Sequence, residues 1–126
     1  MIAQFLRETA TASFVWGQND CALWCASAVQ FMTGTDPAAD LRCTYSSWVE
    51  CRGVIMRAGG LEALIAPRME RLSLPPIDRE GVAIVQFGKQ KLCGIVTGDF
   101  VSIRTLEGVQ ATRDFQIIRG WSWSQR

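Results

Sequence analysis

The chain has 126 residues and a mass of 14.0 kDa, enough for one domain with its own hydrophobic core. Apolar content of 48% with 20% charged residues reads as globular rather than disordered. A net charge of +1 and a pI near 7.6 give no global drive toward nucleic acid, an acidic surface or a polybasic membrane contact.

The start, Met1-Ile2-Ala3-Gln4-Phe5-Leu6-Arg7-Glu8, has none of the basic, apolar and small-residue regions of a secretory leader. Ile2, Phe5 and Leu6 fit one face of a short amphipathic helix that ends before the small polar run Thr9 to Ser13. Asn19 or Asp20 can cap the next helix, whose apolar positions Cys21, Trp24, Cys25, Ala28, Val29 and Met32 recur at helical spacing. Ala22, Leu23 and Ala26 make its other faces nearly as apolar, so it is expected to be buried. Gly34 supplies a left-handed cap at its end.

Asp36-Pro37 predicts a short turn of helix with Asp36 as N-cap. Ser47 and Glu50 have capping-box spacing ahead of Val54, Ile55 and Met56. Gly59-Gly60 breaks that helix, and Leu61 to Ile65 fits one more turn. Beyond Pro67 the pattern predicts strands, the first an edge strand over Arg68–Leu74 closed by Pro75-Pro76. Val82–Phe87 is a core strand, turned by Gly88 into Leu92–Thr97. Phe100–Arg104 and Val109–Thr112 form a hairpin around Glu107-Gly108, and Phe115–Ile118 leads to Trp121-Ser122-Trp123. Arg68, Arg71, Lys89 and Lys91 are expected on solvated strand ends or loops. Helices first and an antiparallel sheet second is α+β organisation in a single domain, residues 1–126.

Cys21 follows Gly17-Gln18-Asn19-Asp20 and opens the apolar helix, where a cysteine hydrolase would place its nucleophile. A thiol there can be acidified to roughly 3.5–7.5 by the helix dipole and neighbouring cations. Acyl transfer still needs a group that takes and returns a proton near neutral pH, most often imidazole. The chain contains no histidine.

These residues carry a resemblance. Trp16-Gly17-Gln18-Asn19-Asp20-Cys21 resembles the nucleophile motif of NlpC-like cell-wall peptidases, of the papain-like superfamily, in which Asp-Cys begins the central helix. Val82-Ala83-Ile84-Val85 followed by Leu92-Cys93-Gly94-Ile95-Val96-Thr97-Gly98 resembles the family's second motif, a strand pair with a Gly-Ile step. Thr33–Arg42 followed by Gly59-Gly60-Leu61 is similar to a small branch found in tail modules of long-tailed phages and gene-transfer particles. The resemblance runs in order along nearly the whole chain. It implies a papain-like fold, a central cysteine-bearing helix packed on an antiparallel sheet. Where the family places its histidine, this chain has Leu92 or Cys93, and Ser102, Arg104 and Thr105 fall near the strand of the third, orienting residue.

The residues also admit plainer roles. Cys21 can be a small buried hydrophobe at a helix start, and this structural reading is favoured over a catalytic one. Cys21 and Cys25 stand one turn apart, with Cys43 and Cys51 further on, but no Cys-x-x-Cys knuckle exists, so no metal or other cofactor is expected. The odd count of five cysteines argues for free thiols in a reducing cytosol. Trp16, Trp121 and Trp123 are candidate interface residues, Trp121 and Trp123 being able to face one side of a terminal strand as core or as anchor.

The favoured expectation is a structural component of a phage tail tip or baseplate, made in the host bacterial cytoplasm and carried in the virion. It would use a catalytically degenerate NlpC-like fold against tail hub and distal-tail proteins, with no nucleic acid and no membrane span. The alternative is an active cysteine peptidase or amidase that cleaves peptidoglycan peptides during phage entry, with Cys21 as nucleophile.

Overall fold

The structure is a computed structural model that describes residues 1–123. Four helices, α1 (Ile2–Thr9), α2 (Cys21–Thr33), α3 (Trp48–Ala58) and α4 (Leu61–Glu70), precede five strands. These are β1 (Glu80–Phe87), β2 (Gln90–Thr97), β3 (Phe100–Thr105), β4 (Gly108–Thr112) and β5 (Gln116–Ser122). The strands form one antiparallel sheet in the order β4-β3-β2-β1-β5. The architecture is α+β, helices first, as the periodicity predicts.

α2 is the centre of the molecule because no face of it is polar enough to meet water. Leu23, Trp24, Cys25, Ala26, Ala28 and Val29 are all buried. Its two sides serve two different cores. Trp24, Cys25, Ala28 and Val29 pack with Ile2 and Phe5 of α1, Met69 of α4 and the sheet residues Val82, Ile84, Cys93 and Ile95. Leu23 and Ala26 pack with Ala38, Tyr45 and Cys51. The sheet's opposite face is dry too: Ala83, Val85, Val96, Val101 and Ile103 are buried and packed by Ile77, Leu92 and Phe115. The period-2 alternation of β1 therefore separates two apolar layers rather than an inside from an outside, which explains its unbroken apolar run.

The segment after Pro67 departs from the expected edge strand. α4 continues through Pro67 to Glu70, and the chain turns before Pro76 bridges to Trp121. A proline inside a helix removes one backbone bond. Burial of Ala66 and Met69 in the main core, and the paired hydrogen bonds from Arg68 to both carboxylate oxygens of Asp40, offset that loss. Arg68 is thus a helix residue tied to a carboxylate, not a solvated strand end. The sheet begins at Glu80, well past the predicted switch. Asp36-Pro37 starts a hydrogen-bonded turn rather than a helix: the Asp36 side chain accepts from the Ala38 N–H.

Trp121 and Trp123 are 5% and 8% exposed and belong to the main core. Of the two roles open to them, they fill the core one. As partner anchors they would need surface they do not have.

The α1–α2 junction rests on Trp24, fully buried, whose indole N–H donates to the Thr9 hydroxyl at 2.9 Å. Trp24→Ala is expected to cost about 3–5 kcal/mol, and Thr9→Val about 1–3 kcal/mol, since it leaves the buried indole N–H unpaired. Urea denaturation of the two variants checks the ratio.

Candidate functional site

The loop that presents Cys21 is built by local backbone bonds. The N–H groups of Gln18 and Asn19 donate to the Val15 carbonyl, and the Val15 N–H donates to the Asn19 carbonyl. That tight turn needs a left-handed residue, and Gly17 supplies it with φ +80°. A β-carbon on Gly17 would lie 1.9 Å from the Tyr45 carbonyl oxygen, so the 41–45 segment can close down on the loop only over glycine. The Cys43 N–H donates to the Gly17 carbonyl at 2.7 Å.

Asp20 caps α2. Its side chain accepts from the Leu23 N–H at 3.0 Å, from the Gly17 N–H at 3.0 Å and from the Tyr45 hydroxyl at 2.6 Å. At 2% exposure it is a buried polar side chain with its partners in place. Burial and the bond to Asp20 together push the Tyr45 phenol well above its ordinary value. Arg42 ties the same region from outside. It donates through Nε to Asp36 at 2.6 Å and through Nη2 to the Ser27 hydroxyl on α2 at 3.1 Å.

Cys21 stands at the first position of α2, as the motif predicts. Its thiol turns onto β2 and donates to the Cys93 carbonyl oxygen at 3.2 Å. Desolvation, aided by the neighbouring Asp20, pushes the Cys21 thiol up to about 12 from an ordinary value of 9.0. A hydrogen bond given by S–H to a carbonyl exists only for the protonated form. The acidification open to a thiol at a helix start is thus outweighed here. A helix N-terminus favours an anion by about 0.3–1 kcal/mol, whereas taking an ion out of water costs several kcal/mol. Desolvation wins.

The positions expected to hold the family's proton-transfer groups are occupied by other chemistry. Cys93 is buried in the helix-facing core, while Leu92 packs on the opposite layer. Burial also raises the Cys93 and Cys25 thiols well above their ordinary range. Lys89 and Lys91 are exposed. Arg104, 3% exposed, donates to the Thr9 and Ala12 carbonyls and so fastens the end of α1 instead of reaching Cys21. Thr105 bonds within the β3–β4 turn. Behind α2 lies an apolar cavity of about 70 Å³, with Cys25, Cys51 and Cys93 in its wall and Cys21 outside it. Among the described residues, no three His, Cys, Asp or Glu side chains are grouped to hold a metal ion, and no helix is long and apolar enough to cross a membrane.

A second feature lies on the outer side of the same loop. Phe14 and Trp16 meet edge to face at 4.8 Å between centroids, and Trp16 stacks at a tilt on Trp48 at 5.8 Å. Trp48 is 54% exposed and Val49 beside it 77%. Trp16 is thus half-buried in an aromatic cluster that opens to solvent. The tryptophans as a set are expected in the core; Trp48 instead lies at the surface, and nothing in the sequence marks Tyr45. Trp48 falls in the first turn after the Ser47 cap, and Tyr45's hydroxyl had no partner assigned in the linear order.

A family model described as Domain of unknown function (DUF6950) matches residues 1–123, from α1 through the whole sheet. The chain belongs to the DUF6950 family. No curated protein matches it, and no solved structure does.

In this DUF6950 chain the loop, cap and thiol form a rigid junction with a protonated cysteine at its centre. Asp20→Ala is expected to cost about 2–4 kcal/mol, since it removes a cap and leaves buried donors unsatisfied. Chemical denaturation measures it. The raised thiols set the sign of the pH response. Stability is complete below their unfolded value and falls as pH rises from about 9.0 toward 12. Cys21→Val is expected to flatten part of that alkaline slope in denaturation midpoints.

Proposed function

We propose that this chain is a catalytically silent NlpC-like, papain-like domain that serves as a structural component of a phage tail tip or baseplate. The observation that carries the catalytic half is the Cys21 thiol, hydrogen-bonded to the Cys93 carbonyl and raised to about 12. In a cysteine hydrolase that thiol faces an imidazole. Here it faces a backbone acceptor, in a chain without histidine. Losing general acid–base help costs about a hundred- to ten-thousand-fold in rate, and a protonated thiol adds a further loss of nucleophile.

The relationship to NlpC-like domains is supported by chain order: Asp-Cys opening the central helix, then a strand pair whose second member lies beside the cysteine. The assembly role is supported by the resemblance of the Thr33–Arg42 and Gly59–Leu61 segments and by the aromatic cluster of Phe14, Trp16 and Trp48. Exposed tryptophan beside a fixed loop is suited to anchoring a protein partner, here hub or distal-tail proteins of the virion.

Two measurements test this reading. Purified protein offered peptidoglycan and small peptide amides is expected to give no turnover above Cys21→Ala. Turnover that disappears in Cys21→Ala contradicts it. Trp16→Ala with Trp48→Ala is expected to weaken incorporation into particles by about 2 kcal/mol or more, with folding preserved in circular dichroism. Normal particle assembly with both substitutions removes the cluster as the contact.

A further inference from the structure

The cavity behind α2 exists because much of its wall is built of small side chains. Ala22, Cys25 and Ala26 of α2, Ala38 of the segment before α3, Cys51 of α3 and Cys93 of β2 all line it. Close-packed interiors leave few voids larger than a water molecule, and a leucine at any of these positions would take up the space. The floor lies deep, with Cys25, Ala26 and Cys93 buried. The roof is half-buried, formed by Val54 and Ile55 of α3 and by Leu61, Leu64 and Ile65 of α4.

The polar groups of this wall are already engaged. The Tyr45 hydroxyl donates to Asp20 at 2.6 Å. The Arg68 guanidinium donates to the Pro37 carbonyl at 3.3 Å and to both carboxylate oxygens of Asp40. The Asp40 side chain is 67% exposed, so this ion pair stands at the surface and ties α4 to the 37–40 segment. What faces the interior is hydrocarbon and thiol. A buried water needs several polar partners, and apolar cavities stay dry. A dry void forfeits the dispersion contacts that its lining would otherwise make.

We infer that this cavity is a binding site for one small, uncharged, apolar molecule. Its size sets the limit. An apolar cavity of about 150 Å³ accepts benzene. At about 70 Å³ this one is roughly half as large, which suits a xenon atom or a hydrocarbon of about three carbons. The guest leaves water and restores the missing dispersion contacts, and the polarizable sulfurs of Cys25, Cys51 and Cys93 favour a soft one. A charge or hydroxyl on the guest would be buried without a partner. A long alkyl chain with its headgroup outside would have to part Arg68 from Asp40 and Pro37, so the occupant is a whole small molecule and not the end of a tail. The site is distinct from Cys21 and from the Phe14–Trp16–Trp48 cluster, and it is independent of the function proposed above.

The test is methyl NMR of the isotope-labelled full chain under increasing xenon pressure. Saturable, one-site shifts are expected, confined to wall methyls such as those of Ala26, Ala38 and Leu64. Ala26→Leu fills the void from the floor and is expected to weaken xenon binding by about tenfold or more. Ala38→Val fills it from the side with the same sign, which keeps the test intact if one variant fails to fold. Leu64→Ala enlarges the void and is expected to admit benzene, read as a rise in its melting midpoint that the native chain does not show. 1-Propanol and octanoate are expected to give no saturable shift at these methyls. Circular dichroism verifies folding throughout. Four results would each overturn the inference: native shifts that stay linear with xenon pressure, xenon binding that survives a folded filling variant, a folded Leu64→Ala chain indifferent to benzene, or saturation by 1-propanol or octanoate.

Discussion

The buried side chain of Asp20 holds three parts of the chain at once. It caps α2 at Leu23, fixes the Trp16–Gly17 turn, and receives the Tyr45 hydroxyl from the segment that precedes α3. α2 is the element on which both helical cores converge, so the position of its first turn sets where everything else can pack. The thiol of Cys21 is aimed at β2 because the residue before it is pinned, and β2 is the strand α2 crosses. Breaking the cap would release the loop and the helix start together. Surface ties such as Arg42 to Asp36 reinforce the junction: against desolvation, which raises it, the hydrogen bonds from Arg42 and Ala38 and the Arg42 charge hold the Asp36 carboxyl below its ordinary range.

Much of this fold is written in local patterns. The all-apolar periodicity from Cys21 to Met32, the Asp20 and Ser47 caps and the glycines at 34 and 59 each mark an element boundary that the structure keeps. The strands from Val82 onward follow from β-branched runs and turn glycines. Pro67 misled because a proline is a local breaker, while the forces that carry α4 past it are long-range: Met69 reaching the main core, and Arg68 reaching Asp40 across 28 positions of sequence. Trp121 and Trp123 were ambiguous for the same reason. Whether a tryptophan on a terminal strand is core or surface depends on what lies beneath it, and that is set by helices far away in the chain.

The candidate site was half legible. Its cysteine and cap could be read from Asp20-Cys21, and the lack of histidine from composition alone. Its electrostatics could not. A helix start allows an acidified thiol, but the result depends on how far the sulfur is desolvated, and half-buried Cys21 turns its thiol onto β2. The bond from Cys21 to the Cys93 carbonyl spans 72 positions and leaves no trace in spacing. At the start of α2 the fold holds the Cys21 sulfur against a strand rather than opposite a base. On the outer side of the same loop the aromatic cluster around Trp16 opens to solvent.

The central claim is that Cys21 is chemically silent because the fold keeps its proton on. The most direct measurement is a pH titration of thiolate ultraviolet absorbance on the native chain beside Cys21→Ala. The account predicts that the two curves coincide through neutral and mildly alkaline pH and separate only as the value near 12 is approached. A thiolate step at or below neutral pH, present in the native chain and missing from Cys21→Ala, would contradict it.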